Sequence, residues 1–307
     1  VKASKAIITA FYPYQNVQDE HYRVYEDAYF HFLHMWISAV DKVYLIDQDW
    51  GLKPPEWLED KVIVIKTSDL EQPITHHWDS FAQVIPQIKE DYIIMLDSDM
   101  YVYDPDVISG LGGDVVAILD GSGGVKLDFP IMQPNEVRGE RRRIAPYLCV
   151  VKKDFLSKTK LDFEPYRNSD DDWMDSFGKW TVDVFNHNPK FSELPDDRTT
   201  IMLDKDGNIE VSPWGDRNCG PTGYYHLRNF SLGLSLVNEF KYNKQAYEKR
   251  KSITPIGEAT RQLGWLWALT AKFRPAFLSK IKDVVDDMNL KNWDKFIDKY
   301  YEVYKWV

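Results

Sequence analysis

Two carboxylates one residue apart, Asp97 and Asp99, follow directly on an apolar run: residues 92–104 read YIIMLDSDMYVYD. Tyr92 to Leu96 has the length and β-branched content of a buried strand. Taking a bare carboxylate out of water is expensive, so two of them at a strand's exit need a compensating charge. A divalent cation supplies it. Hard oxygen ligands suit Mg²⁺ or Mn²⁺, and such ions commonly bridge a protein carboxylate and a substrate diphosphate. The carboxyl end of a strand is also where open α/β sheets bind ligands. Residue type, spacing and place together point to nucleotide-diphosphate chemistry.

A strand that runs into Asp-Ser-Asp, with a second strand-like stretch (Met100 to Tyr103) behind it, resembles the DxD signature of the GT-A-fold glycosyltransferases. These enzymes move a sugar from a nucleotide-diphosphate donor. The resemblance covers roughly residues 5–230 as an order of elements. It implies Asp99 as a direct ligand of Mn²⁺ or Mg²⁺, with Asp97 as its companion on the ion, the donor ribose or a metal-bound water. It also implies a late histidine as third ligand, and His226 in GYYHLRN, residues 223–229, fits that place. Arg228 beside it is suited to the donor diphosphate, or to a surface ion pair. Breaking the sugar–phosphate bond leaves negative charge on a nucleoside diphosphate, and a bound dication answers that charge as it grows.

Other roles follow from the same resemblance. Thr9, Phe11 and Tyr12 end a first strand and Asp47 a second, where that fold cradles the nucleobase; strand-end residues also serve as plain turn formers. His76 and His77 stand before the helix that leads to the DSD strand, with a donor-phosphate contact or a first-turn role. An inverting transfer needs a base for the acceptor hydroxyl. The acidic run Asp170–Asp171–Asp172–Trp173–Met174–Asp175 offers Asp175, with Asp172 behind it, or else only a charge cluster that favours a helix dipole. Asp120 is the candidate for gripping sugar hydroxyls. Trp173, Trp180 and Trp214 have the rings to stack on a sugar, among 11 tryptophans that mostly pack.

These residues need a scaffold, and the elements read as one. Lys5–Tyr12, Lys42–Ile46, Lys61–Lys66, Tyr92–Leu96, Asp114–Leu119, Pro146–Val151 and Lys190–Leu194 read as strands. Gln18–Val40 carries Tyr22, Tyr25, Tyr29, Phe32, Leu33 and Trp36 at helical spacing; Trp78–Ile88 and Trp173–Asn186 also read as helices. Alternation of this kind predicts an α/β fold, a mostly parallel sheet flanked by helices. From about residue 241 the pattern is helical and rich in Lys and Trp. We therefore expect a GT-A-like catalytic domain over 1–240 and a helical C-terminal appendage over 241–307.

At 307 residues, 44% hydrophobic and 28% charged, the chain is ordinary globular protein with room for a sizeable core. Its net charge of −10 divides unevenly: residues 241–307 carry 14 basic and 8 acidic side chains, and the rest is strongly acidic. An acidic body argues against nucleic acid as partner. No run is long enough for a membrane span and none reads as a signal peptide. Cys149 and Cys219 make neither a disulfide framework nor a metal spacing, which points to a reducing, cytoplasmic setting. Gly264 to Lys282 interleaves apolar residues with lysine and arginine. That pattern suits a helical cap or an oligomer contact, and also a peripheral membrane contact toward a lipid-linked acceptor.

The expectation is a metal-dependent transferase that takes a UDP-sugar and a glycan or glycoconjugate acceptor. A haloacid-dehalogenase-type phosphatase also uses Asp-x-Asp after a strand, but wants Thr or Val two residues past the second Asp, where this chain has Tyr101, and normally begins near the N-terminus. A non-catalytic carbohydrate-binding protein would account for the aromatics and would need neither the paired acids nor the late histidine.

Overall fold

The computed structural model describes residues 3–11, 21–74, 77–102, 104–108, 112–120, 143–169, 172–174, 176–194, 199–204, 206–213, 223–227, 230–253 and 256–304. Two compact units divide the chain. The first comprises Val1–Tyr12, Leu33–Asp196 and Pro221–Tyr225, and the second Pro13–Phe32, Asp197–Gly220 and His226–Val307.

The strands are β1 (Lys5–Phe11), β2 (Lys42–Asp47), β3 (Val62–Lys66), β4 (Tyr92–Leu96), β5 (Met100–Val102), β6 (Val115–Asp120), β7 (Arg143–Lys152), β8 (Tyr166–Ser169), β9 (Asp172–Met174), β10 (Phe191–Leu194), β11 (Thr199–Leu203), β12 (Ile209–Pro213) and β13 (Tyr224–His226). Seven of them form one sheet in the order β10-β6-β7-β4-β1-β2-β3. Every neighbouring pair is parallel except those made by β7, which runs antiparallel to both β4 and β6. The fold is α/β with a mostly parallel sheet, as the alternation of elements predicts.

The helices between these strands are α1 (His21–Trp36), α2 (Glu56–Glu59), α3 (His77–Val84), α4 (Lys153–Leu156) and α5 (Gly178–Asn186). β1 is buried at six of its seven positions, the near-continuous apolar run expected of a strand covered on both faces. On one face Ala6, Ile8, Ala10, Ile93, Met95, Ala117 and Cys149 pack with Phe81 and Val84 of α3 and with Trp180 and Val184 of α5. A side chain of this size, fully buried, contributes roughly 1.5–3 kcal/mol, so the layer holds the strand ends firmly. Burial pushes the Cys149 thiol far above its ordinary range, leaving an inert core residue. The aromatic stripe of α1 is core as read: Tyr25, Tyr29, Phe32, Leu33 and Trp36 are all buried.

One helix is shorter than its pattern suggests. Trp173 to Asn186 reads as continuous, yet Asp172–Met174 is strand β9, paired antiparallel to β8, and α5 starts only at Gly178. Phe177 precedes it in the left-handed region, φ +70°, which a continuous helix excludes. A Cβ on Gly178 would stand 2.7 Å from the Tyr166 backbone nitrogen, so the chain turns where only glycine fits.

In the second unit β11 and β12 form a hairpin, and the helices are α6 (Phe230–Tyr242), α7 (Lys244–Ile253), α8 (Ile256–Phe273), α9 (Pro275–Asp287) and α10 (Trp293–Tyr304). A Cβ on Gly264 of α8 would meet Phe296 and Tyr300 at 2.9 Å, and this close approach lets α10 bury its aromatic face. Gly264 to Lys282 therefore spends Trp265, Leu266, Ala268 and Leu269 on packing. Arg274 pairs with Asp27 at 2.6 Å. Among the described residues no helix is long and apolar enough to cross a membrane.

Candidate functional site

The order of the sheet selects one place on its edge. The chain lays down β1, β2 and β3 side by side, then returns to put β4 on the other flank of β1. Neighbouring strands whose connections leave in opposite directions open a crevice at their carboxyl ends, the usual ligand site of open α/β sheets. Asp97 is the first residue beyond β4. Its N–H donates to the Tyr147 carbonyl of β7 at 3.2 Å, and its own carbonyl accepts from Met100 N at 3.4 Å, closing a tight turn into β5. Asp97, Ser98 and Asp99 form that turn and are half-buried.

The third residue arrives through a separate two-stranded pairing of β13 with β5. Its start is fixed by Gly223, φ +91°, whose carbonyl accepts from Asp104 N at 2.9 Å. A Cβ there would stand 3.2 Å from the Asp104 carbonyl oxygen. Glycine thus allows β13 to lie along β5, the strand that follows the DSD turn, and His226 is the last residue of β13. The division between the two units falls within this strand, after Tyr225.

One ligand atom from each of Asp97, Asp99 and His226 lies within 4.8 Å of the other two. Two carboxylate oxygens and an imidazole nitrogen make a donor set suited to Mn²⁺, and with other ligands to Mg²⁺. The electrostatics agree. The Asp97 carboxyl is held well above the usual carboxylate range, first by burial and then by the charge of Asp99, with Arg143 pulling the other way. Carboxylates crowded until one resists ionisation are what a dication relieves. Gly223→Ala is expected to cost about 1–2 kcal/mol, because the left-handed region penalises a Cβ, and to weaken Mn²⁺ binding by shifting β13. Melts with and without Mn²⁺ check both effects.

Other sequence expectations land differently. The buried Asp47 carboxylate accepts the N–H groups of Trp50 (2.8 Å), Gly51 (2.8 Å) and Leu52 (3.0 Å). Both of its oxygens are committed to the loop after β2, which is the turn-forming role. Thr9 and Phe11 are wholly buried in β1 and present no solvent-facing surface. Trp180 is wholly buried, with Nε1 donating to Thr159 Oγ1 at 3.1 Å, so it packs and does not stack on a ligand. Asp120 ends β6 opposite Arg143, and Asp172 opens β9; for these, Trp173 and His77 the structure describes the backbone only. Tyr12, His76, Asp175, Trp214, Cys219 and Arg228 lie outside the described residues.

Sequence reasoning passed over Arg143, the buried cation acting on Asp97. Its only signal was a run of three arginines, residues 141–143, at the start of a strand. Tyr147, whose carbonyl pins the DSD turn, gave no signal at all.

No protein-family model matches the chain, and no curated protein does. Among solved structures, mannosyl-3-phosphoglycerate synthase from Rubrobacter xylanophilus is similar at 14% identity over 62% of this chain and 65% of its own, with a TM-score of 0.39. The mannosyltransferase PcManGT from Pyrobaculum calidifontis, solved with GDP-Man and Mn²⁺, is similar at 10% identity over 98% of this chain and 84% of its own, with a TM-score of 0.41. The inositol-1-phosphate CTP transferase from T. maritima is similar at 12% identity over 62% and 86%, with a TM-score of 0.39. Likenesses this distant say nothing of activity, which has to be read from the site.

Proposed function

We propose that the chain is a metal-dependent glycosyltransferase that moves a sugar from a nucleotide-diphosphate donor, UDP-linked, to a hydroxyl of a glycan or glycoconjugate. The observation that carries this reading is the meeting of Asp97, Asp99 and His226 at the carboxyl end of β4. Asp99 and His226 would hold Mn²⁺ or Mg²⁺, with Asp97 as a further ligand or as the acceptor for a bound water. The ion would supply Lewis-acid stabilisation of the departing diphosphate. The protein's own part is orientation: the DSD turn is fixed by the Tyr147 carbonyl and β13 by Gly223. The base that takes the acceptor proton is assigned to Asp175 or Asp172, in the acidic run before α5, and sugar hydroxyls to Asp120. Arg228 is assigned to the diphosphate, and Tyr12 to the nucleobase.

A panel of nucleotide sugars with Mn²⁺ tests this, read as thermal stabilisation and donor hydrolysis. A donor at about 100 times its Kd should add about 2.7 kcal/mol, and EDTA should remove the gain. If no nucleotide sugar raises the melting temperature and a generic phosphate ester is turned over, the phosphatase takes its place. Sugar binding indifferent to EDTA and UDP would favour the binding protein.

A further inference from the structure

Arg143 opens β7 and is only 6% exposed, a depth at which a guanidinium is costly unless its donors and its charge are both answered. Its Nη1 donates to the carbonyl of Ser176 and, at 3.2 Å, to Ser176 Oγ. Across the sheet it stands opposite Asp120 of β6. Its charge also bears on the Asp97 carboxylate, against the effects of burial and Asp99.

The next residue makes a second link to the same region. Ile144 N–H donates to Thr181 Oγ1 at 3.1 Å, and that hydroxyl donates to the Phe177 carbonyl at 2.8 Å. The first two residues of β7 thus fasten the turn Ser176–Phe177 and the first turn of α5. The two ties differ in kind. The Ile144–Thr181 tie is neutral and buried, a structural clamp. The Arg143 tie uses a permanent cation where a neutral donor would hold the same carbonyl, and that charge lies within reach of the metal-site acid.

We propose that Arg143 is a positioning residue: it binds the backbone at Ser176, two residues past β9, to the start of β7, the strand whose Tyr147 carbonyl holds the Asp97 turn, and so sets the acidic segment that supplies the acceptor base against the donor side. This rests on the transferase reading given above. Arg143 touches no reacting atom in this role. It acts through the placement of the acidic segment, where an error of about 1 Å costs on the order of 100-fold in rate.

Three variants separate this from a merely structural role. At saturating Mn²⁺, R143M is expected to lower kcat by roughly 100-fold, with donor KM close to wild type. Backbone amide exchange at Trp173, Met174 and Phe177 should quicken while that of Ile93 to Met95 does not. R143K keeps the charge and one donor, and should recover much of the kcat. T181V cuts the neutral tie, and should lower the melting temperature while leaving kcat near wild type. Should R143M not fold, R143K carries the test, with a smaller fall in kcat, unchanged donor KM and a smaller rise in exchange at the same residues.

Unchanged exchange around Met174 in the arginine variants overturns the proposal. So does normal turnover in R143M, or a kcat loss in T181V as large as its own. A donor KM that rises with the fall in kcat makes Arg143 a donor contact, which also overturns it. Absence of turnover in the wild-type protein strikes the transferase reading instead, and the exchange data still report on the tie.

Discussion

Asp99→Ala is expected to abolish Mn²⁺-dependent binding of UDP, measured by calorimetry with the metal present and absent. Altering groups that only support a metal ligand already costs about 10–100-fold in affinity, so loss of a direct ligand should cost at least about 100-fold. Asp99 is one of three residues whose ligand atoms converge within 4.8 Å, and it sits on a turn held by backbone hydrogen bonds on both sides. His226→Ala should be milder, since water can fill a single imidazole position on Mn²⁺. Residual UDP binding in Asp99→Ala should be weak and insensitive to Mn²⁺. If it keeps the metal-dependent affinity of the wild type, the assignment of this cluster is wrong, whatever else the protein does.

What was legible in the sequence followed the range of the forces involved. An apolar strand that ends in paired acids is a local pattern, because the desolvation penalty acts on adjacent residues, and β4 with its DSD turn stands where it reads. The aromatic stripe of α1 was legible for the same reason. His226 was reached only through a resemblance, since the pairing of β13 with β5 joins residues more than 120 positions apart. Arg143 was not legible as a partner of Ser176 or Asp97, because nothing in its neighbours marks a buried guanidinium. The start of α5 was misread because Trp173, Met174, Phe177 and Trp180 keep a helical period that the chain does not follow. Local spacing cannot report that Phe177 is left-handed or that Tyr166 crowds Gly178. Asp47 shows a further limit: an acid at a strand end looks the same whether it faces a ligand or three N–H groups of its own loop.

The metal site should also govern how stability and metal affinity respond to pH, and in opposite senses. Burial first, and the charge of Asp99 second, hold the Asp97 carboxyl well above the usual range, while Arg143 opposes them. In the unfolded chain the same group titrates near about 3.9. Between that value and the raised one the folded protein binds the extra proton, so the stability of the metal-free protein falls as pH rises through the window. Above the window the penalty is complete and constant. Mn²⁺ needs the ionised carboxylate, so binding must expel that proton; affinity should rise with pH over the same interval, approaching about one decade per unit for one proton displaced. Asp97→Asn removes the titrating group. It should make the metal-free protein more stable than wild type at neutral pH, flatten the pH dependence of its stability across the window, and weaken Mn²⁺ binding. Denaturant melts in EDTA at a series of pH values, paired with Mn²⁺ titrations, measure both arms. Wild type and Asp97→Asn running parallel in both would mean that Asp97 ionises freely and bears no part of the metal's charge.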